Sequence, residues 1–235
     1  MSATPILRGR RRAALTIALL VSAGAVVAVA APGEHSDAAA AHHAAPVPAS
    51  AAARPTAREA AFHDAMRKLW EDHITWTRLA IVSFAGGLPD LPATEARLLR
   101  NQRDIGDAIT PYYGQAAGDR LTGLLKAHIG GAVALLQAAK AGDAGQVAGA
   151  RTAWYRNGDE IADFLHAANV RNWPRSEMRA MMRSHLDQTL SEAQNRLAGR
   201  YAADVRDYEA IHRHILEMAD MLSAGIVRQF PARFR

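Results

Sequence analysis

One short polar pattern occurs three times in this chain, and it constrains the fold more than any other feature. Near the end runs His214-Ile215-Leu216-Glu217-Met218-Ala219-Asp220. Fifty-seven positions earlier stands Asn157-Gly158-Asp159-Glu160-Ile161-Ala162-Asp163, and 56 before that Asn101-Gln102-Arg103-Asp104-Ile105-Gly106-Asp107. Each reads as an amide or imidazole, two residues, a carboxylate, Ile or Met, a small residue, then Asp. The same offset carries His128 onto His185, and His73 falls one residue off that register. Self-similarity at a fixed period marks a repeated supersecondary unit, here one with a His about 28 residues ahead of its acidic motif.

Periodicity and punctuation give the unit its shape. Leu69, Trp70, His73, Trp76 and Thr77 share one face by i, i+3, i+4, i+7 spacing, as do Leu121, Leu124, Leu125, His128 and Ala132. Met178, Met181, Met182, His185, Gln188 and Thr189 repeat the pattern. No alternating strand pattern is found, and Ala and Leu dominate over the sparse aromatics. Thr56-Ala57-Arg58-Glu59 is a capping box that opens helix one, which ends at Gly86-Gly87-Leu88-Pro89. Helix two is expected to stop before Pro111, leaving Tyr112-Tyr113-Gly114 as a connector. Helix three runs from about Ala116 to Lys140 and helix four to about Ala168. Ser176 is expected to cap helix five, and helix six runs from about Ala203 to Phe230. The expected fold class is all-α: a six-helix antiparallel bundle built from three related αα-hairpins. A short α-solenoid is the other way to stack such units.

Each repeated His sits on an apolar stripe and so points inward. On the partner helix the amide or imidazole and the carboxylate are three apart and share a face. The candidate metal-ligating set is therefore His73, His128, His185 and His214 with Asp104, Glu160 and Glu217. Asp107, Asp163, Asp220, Asn101 and Asn157 are the groups expected to orient those ligands. Imidazole with carboxylate suits Zn, Fe, Mn or Cu, so the cofactor implied is a divalent transition metal. The di-iron bundle motif Glu-x-x-His occurs once in the folded part, at Glu209 to His212, and its partner copy is missing. The competing reading is that each His pairs with a buried polar group as a core contact that fixes helix register. The methionines can offer thioethers to Cu(I) or simply fill the core.

Composition excludes several classes. There is no cysteine, hence no disulfide and no thiolate metal site. Nucleophile elbow, phosphate loop and dinucleotide glycine patterns are missing, and Ser83, Ser184, Ser191 and Ser223 read as ordinary helix residues. The net charge of +5 is concentrated at the start, in Arg8, Arg10, Arg11 and Arg12. The rest is a mixed surface, which does not fit a nucleic-acid partner. That basic cluster, the uncharged run 13–31 and Ala28-Val29-Ala30 have the layout of a secretory signal. The run also approaches the ~20 residues of a membrane anchor. Residues 1–31 are thus a signal peptide or anchor, 32–55 an Ala/Pro/His linker with His35, His42 and His43, and 56–235 the helical domain.

Leu69-Trp70-Glu71-Asp72-His73-Ile74-Thr75-Trp76-Thr77-Arg78, with Ile109-Thr110-Pro111-Tyr112-Tyr113-Gly114, resembles a group of small exported bacterial helical-bundle proteins across the folded part. Some of that group carry a glycosyltransferase label. The resemblance implies a helical bundle outside the cytoplasm and supplies no site residues. A nucleotide-sugar transferase needs an α/β scaffold with an acidic metal motif, which this chain lacks. The expected function is an exported envelope protein that binds a metal ion or small ligand through an inward His/carboxylate centre. A metal-dependent bundle enzyme and a structural or partner-binding module are the alternatives.

Overall fold

The computed structural model describes residues 54–235, and the leader, most of the linker and His35, His42 and His43 lie outside the described residues. Six α-helices follow in chain order: α1 (Ala57–Gly86), α2 (Leu91–Tyr113), α3 (Gln115–Ala141), α4 (Ala144–Ala168), α5 (Arg175–Leu197) and α6 (Tyr201–Gln229). Each packs against its neighbours in the chain, and α1 also packs against α6, so the first and last helices meet. A linear stack of hairpins would leave those two apart.

Local chemistry sets most of the boundaries. Thr56 Oγ1 accepts from Glu59 N–H while the Glu59 carboxylate accepts from Thr56 N–H, closing the capping box. Left-handed glycines, Gly87 (φ 63°) and Gly142 (φ 71°), stop α1 and α3. Two boundaries differ from expectation. α2 runs through Pro111 to Tyr113, because a proline in the last turn forfeits only one backbone bond before Gly114 ends the helix. α5 begins at Arg175 with Pro174 ahead of it, and no side chain caps it, Ser176 included.

The interior is aliphatic, with Ile74, Ile211, Ile215 and Ile226 fully buried. α2 and α3 cross at glycines. A Cβ on Gly106 would stand 2.0 Å from Thr122 Oγ1 and 2.6 Å from the Gly118 carbonyl, so only hydrogen fits there.

One buried charge cluster ties α1 to α5 and α6. Arg78 Nη1 donates to Glu192 Oε1 at 2.9 Å and to Asp204, and its Nη2 reaches Asp204 Oδ2 at 2.9 Å. Both carboxylates are fully buried, and Arg196 adds a 3.3 Å contact to Asp204. Burial pushes the Glu192 carboxyl up to about 7, against the pull of Arg78. At the opposite end of α1 the chain closes on itself. A 3-10 turn (Pro231–Arg233) lays Phe234 against Phe62 and Tyr112, with ring centroids 5.2 and 5.6 Å away. Thr56 Oγ1 then donates to the Phe234 carbonyl at 2.6 Å.

Candidate functional site: a layer of buried imidazoles

His73 on α1, His128 on α3 and His185 on α5 converge in the interior, each at most 3% exposed. The His185 ring lies 5.8 Å from that of His73 and 5.9 Å from that of His128, centroid to centroid. His214 on α6 stacks beside His185 at 6.4 Å and 19°. Trp154 stacks on His128 at 5.2 Å, and Trp70 meets His73 edge-on. The apolar stripes seen in the sequence create this convergence, since His occupies the inward position that Leu or Met holds a turn away.

The same hydrogen bond recurs on the three pairs of helices. Asn101 donates to the Leu69 carbonyl, Asn157 to the Leu124 carbonyl and His214 Nε2 to the Met181 carbonyl, at 3.0, 3.2 and 3.1 Å. Each of these carbonyls lies four residues before the core His. Asn157 also turns its Oδ1 to His128 Nδ1 at 3.1 Å. In the first pair two residues share the work: Asn101 holds the backbone, and Gln102 reaches His73 Nδ1 at 3.2 Å. That division matches the one-residue offset between His73 and the Asn101 motif in the sequence.

These amides fix tautomers. The Asn157 oxygen requires a proton on His128 Nδ1, which leaves Nε2 as the lone pair. The Gln102 amide is a donor and makes His73 Nδ1 an acceptor, so the His73 proton sits on Nε2. His214 Nε2 carries its own proton to Met181. Among the described residues His185 Nδ1 has no hydrogen-bond partner, and neither do Trp70 Nε1 and Gln102 Oε1. Burial holds the three central imidazoles, His73, His128 and His185, neutral: His73 is lowered to about 3 and His128 to about 4. His185 is lowered well below its usual value by burial and then by its imidazole neighbours.

The carboxylates expected at this centre are elsewhere. Asp104 is 42% exposed and lies 3.8 Å from Arg97. Glu160 is 51% exposed and lies 3.9 Å from Arg156. Glu217 is exposed on the surface of α6. The reason is angular. In each motif the residue after the carboxylate is Ile105, Ile161 or Met218, all buried, and this side chain takes the inward direction. The carboxylate, one step or 100° round the helix, is turned to the flank. Asp107 is exposed, Asp163 is clamped by Arg179 at 2.9 and 2.7 Å, and Asp220 is held by Arg67 at 2.6 Å and by the outer His63 at 2.9 Å, so none orients an imidazole of the layer. Asn101 and Asn157 do reach the layer. Gln102 and Trp70 belong to it too; the register slip was the only sequence signal for Gln102.

The layer divides two spaces. On its Trp70, Leu125 and Met182 side, three residues before each His, lies a small cavity of about 20 Å³, bordered by the three imidazoles, Met182 and Met218. On the other side, four residues after each His, Thr77, Ala132 and Thr189 line an apolar pocket of about 50 Å³ on the same measure. Including its open mouth, this pocket holds about 570 Å³ of empty space. Among the described residues no group of three or more His, Asp or Glu side chains stands in metal-holding geometry. The chain matches no family model, no curated protein and no solved structure.

Proposed function

We propose that the protein is an exported, non-catalytic binding protein of the cell envelope whose imidazole layer takes one soft metal ion. Export rests on the three-part leader and on the resemblance to exported helical bundles. The ligand reading rests on one observation: three neutral imidazoles and two thioethers, those of Met182 and Met218, border one small cavity of about 20 Å³. That is room for one water or one ion, not for an organic molecule. Imidazole with thioether favours Cu(I), and with no carboxylate in the layer a monovalent ion leaves less buried charge than a divalent one. The rings stand wider than a closed coordination shell, so binding draws them in. His73 ligates through Nε2 only after its proton moves to Nδ1, and the unpaired Gln102 Oε1 is the acceptor for that proton once the amide turns.

The scaffold fits three related αα-hairpins, α1–α2, α3–α4 and α5–α6, arranged as an antiparallel bundle. The recurring bond to the carbonyl four residues before each His supports this repeat. A second reading, a structural or partner-binding module, is favoured by those same bonds, which satisfy the amides without a ligand. A bundle enzyme of the carboxylate type is disfavoured, because Asp104, Glu160 and Glu217 lie outside the layer.

The test is metal content by mass spectrometry on the full chain, purified without chelator and after loading with Cu(I), Zn, Fe and Mn. His73→Ala, His128→Ala and His185→Ala are measured alongside. One equivalent of metal, lost in the three variants, supports the proposal. No retained metal overturns it and leaves the layer as a core contact.

A further inference from the structure

We infer that the apolar pocket beyond the imidazole layer is a second binding site, for a small organic cation with a compact hydrocarbon body and one protonated amine. It shares no lining residue with the small cavity, so it does not depend on metal in the layer. Its walls come from α1, α2, α3 and α5, with Trp154 from α4.

The ligand class follows from which polar groups are already engaged. The Thr77 hydroxyl donates to the His73 carbonyl at 2.7 Å and that of Thr189 to the His185 carbonyl at 2.9 Å. The Trp154 indole N–H donates to the His128 carbonyl at 3.1 Å. Glu95 is the one remaining polar side chain of the lining, half-buried, with no ion pair or hydrogen bond among the described residues. Lys140, which touches the lining residue Phe84, is engaged: its Nζ donates to the Phe84 carbonyl at 3.0 Å and sits 4.8 Å from the centre of the Phe84 ring. An anionic ligand therefore meets a free carboxylate and an occupied ammonium, and a cationic one meets its complement. The hydrocarbon walls favour an apolar body, as in most small-molecule sites.

The experiment is isothermal titration of the full chain with three probes of equal chain length: hexylammonium, hexanol and hexanoate. Hexylammonium is expected to bind best, with hexanol about fivefold weaker, the factor that a partly exposed ion pair of ~1 kcal/mol supplies. Glu95→Gln should bring hexylammonium down to the level of hexanol and leave hexanol unchanged. Ala132→Phe or Ala80→Leu, which fill the pocket from α3 and α1, should abolish binding of all three. Either variant suffices, with an unchanged helical circular dichroism spectrum as the check on folding. Equal affinities, a preference for hexanoate, no saturable binding, or binding retained in a folded filled-pocket variant each overturns the inference.

Discussion

At the residue scale the controlling fact is that imidazoles, not carboxylates, occupy the centre. Their pH signature is steep and its sign is fixed. The folded pKa values lie below the unfolded ~6.5, so the unfolded chain binds more protons as pH falls, and stability drops below pH 6.5. Each decade takes about 1.4 kcal/mol per histidine until the folded pKa is reached. Denaturant unfolding between pH 4 and 7 should therefore show stability rising by more than one proton's slope. His128→Asn should remove about one proton from that slope. Glu192 acts in the opposite sense: its folded pKa of about 7 lies above the unfolded 4.5, so stability is lost as pH rises through that window. Glu192→Gln should flatten that component and steepen the net rise. The inward histidines were legible in the sequence because a 3.6-residue stripe tells inside from outside. The carboxylates were misplaced because three-residue spacing puts two groups on one side of a helix without saying which faces inward; the buried Ile or Met that follows each one decides that.

At the element scale, two contacts carry unusual weight. The α2–α3 crossing tolerates no side chain at Gly106, where an added Cβ would meet a backbone carbonyl as well as Thr122. Gly106→Ala should lower stability by about 1–3 kcal/mol, read from the urea midpoint at constant slope. Arg78 compensates two buried carboxylates across α1, α5 and α6. Arg78→Met should cost about 3–5 kcal/mol, and adding Glu192→Gln and Asp204→Asn should recover part of it, since the cost is uncompensated buried charge. This cluster was invisible in the sequence: Arg78 lies 114 residues from Glu192 and 126 from Asp204, and nothing local distinguishes the three from the exposed Arg, Glu and Asp around them. Helix number and most helix ends were readable, since caps, glycines and prolines act locally. Pro111 misled because a proline penalty depends on its place in the turn.

At the scale of the whole molecule, the aromatic clasp joins the start of α1 to the end of the chain. Thr56 serves both as helix cap and as donor to the Phe234 carbonyl. Thr56→Ala should lower stability by about 1–2 kcal/mol, and deletion of residues 231–235 should weaken the Thr56 effect in a double-mutant cycle. The clasp also gives the molecule a direction. The apolar pocket is bounded by Thr77 to Phe84, toward the far end of a helix that rises about 1.5 Å per residue from Thr56. Both ends of the folded unit thus emerge together, some 30–40 Å from that chamber. Residues 56–235 held to a bead, a sensor chip or a fusion partner through either end of this folded unit would present the chamber outward, so the choice of attachment end should leave small-molecule access unchanged.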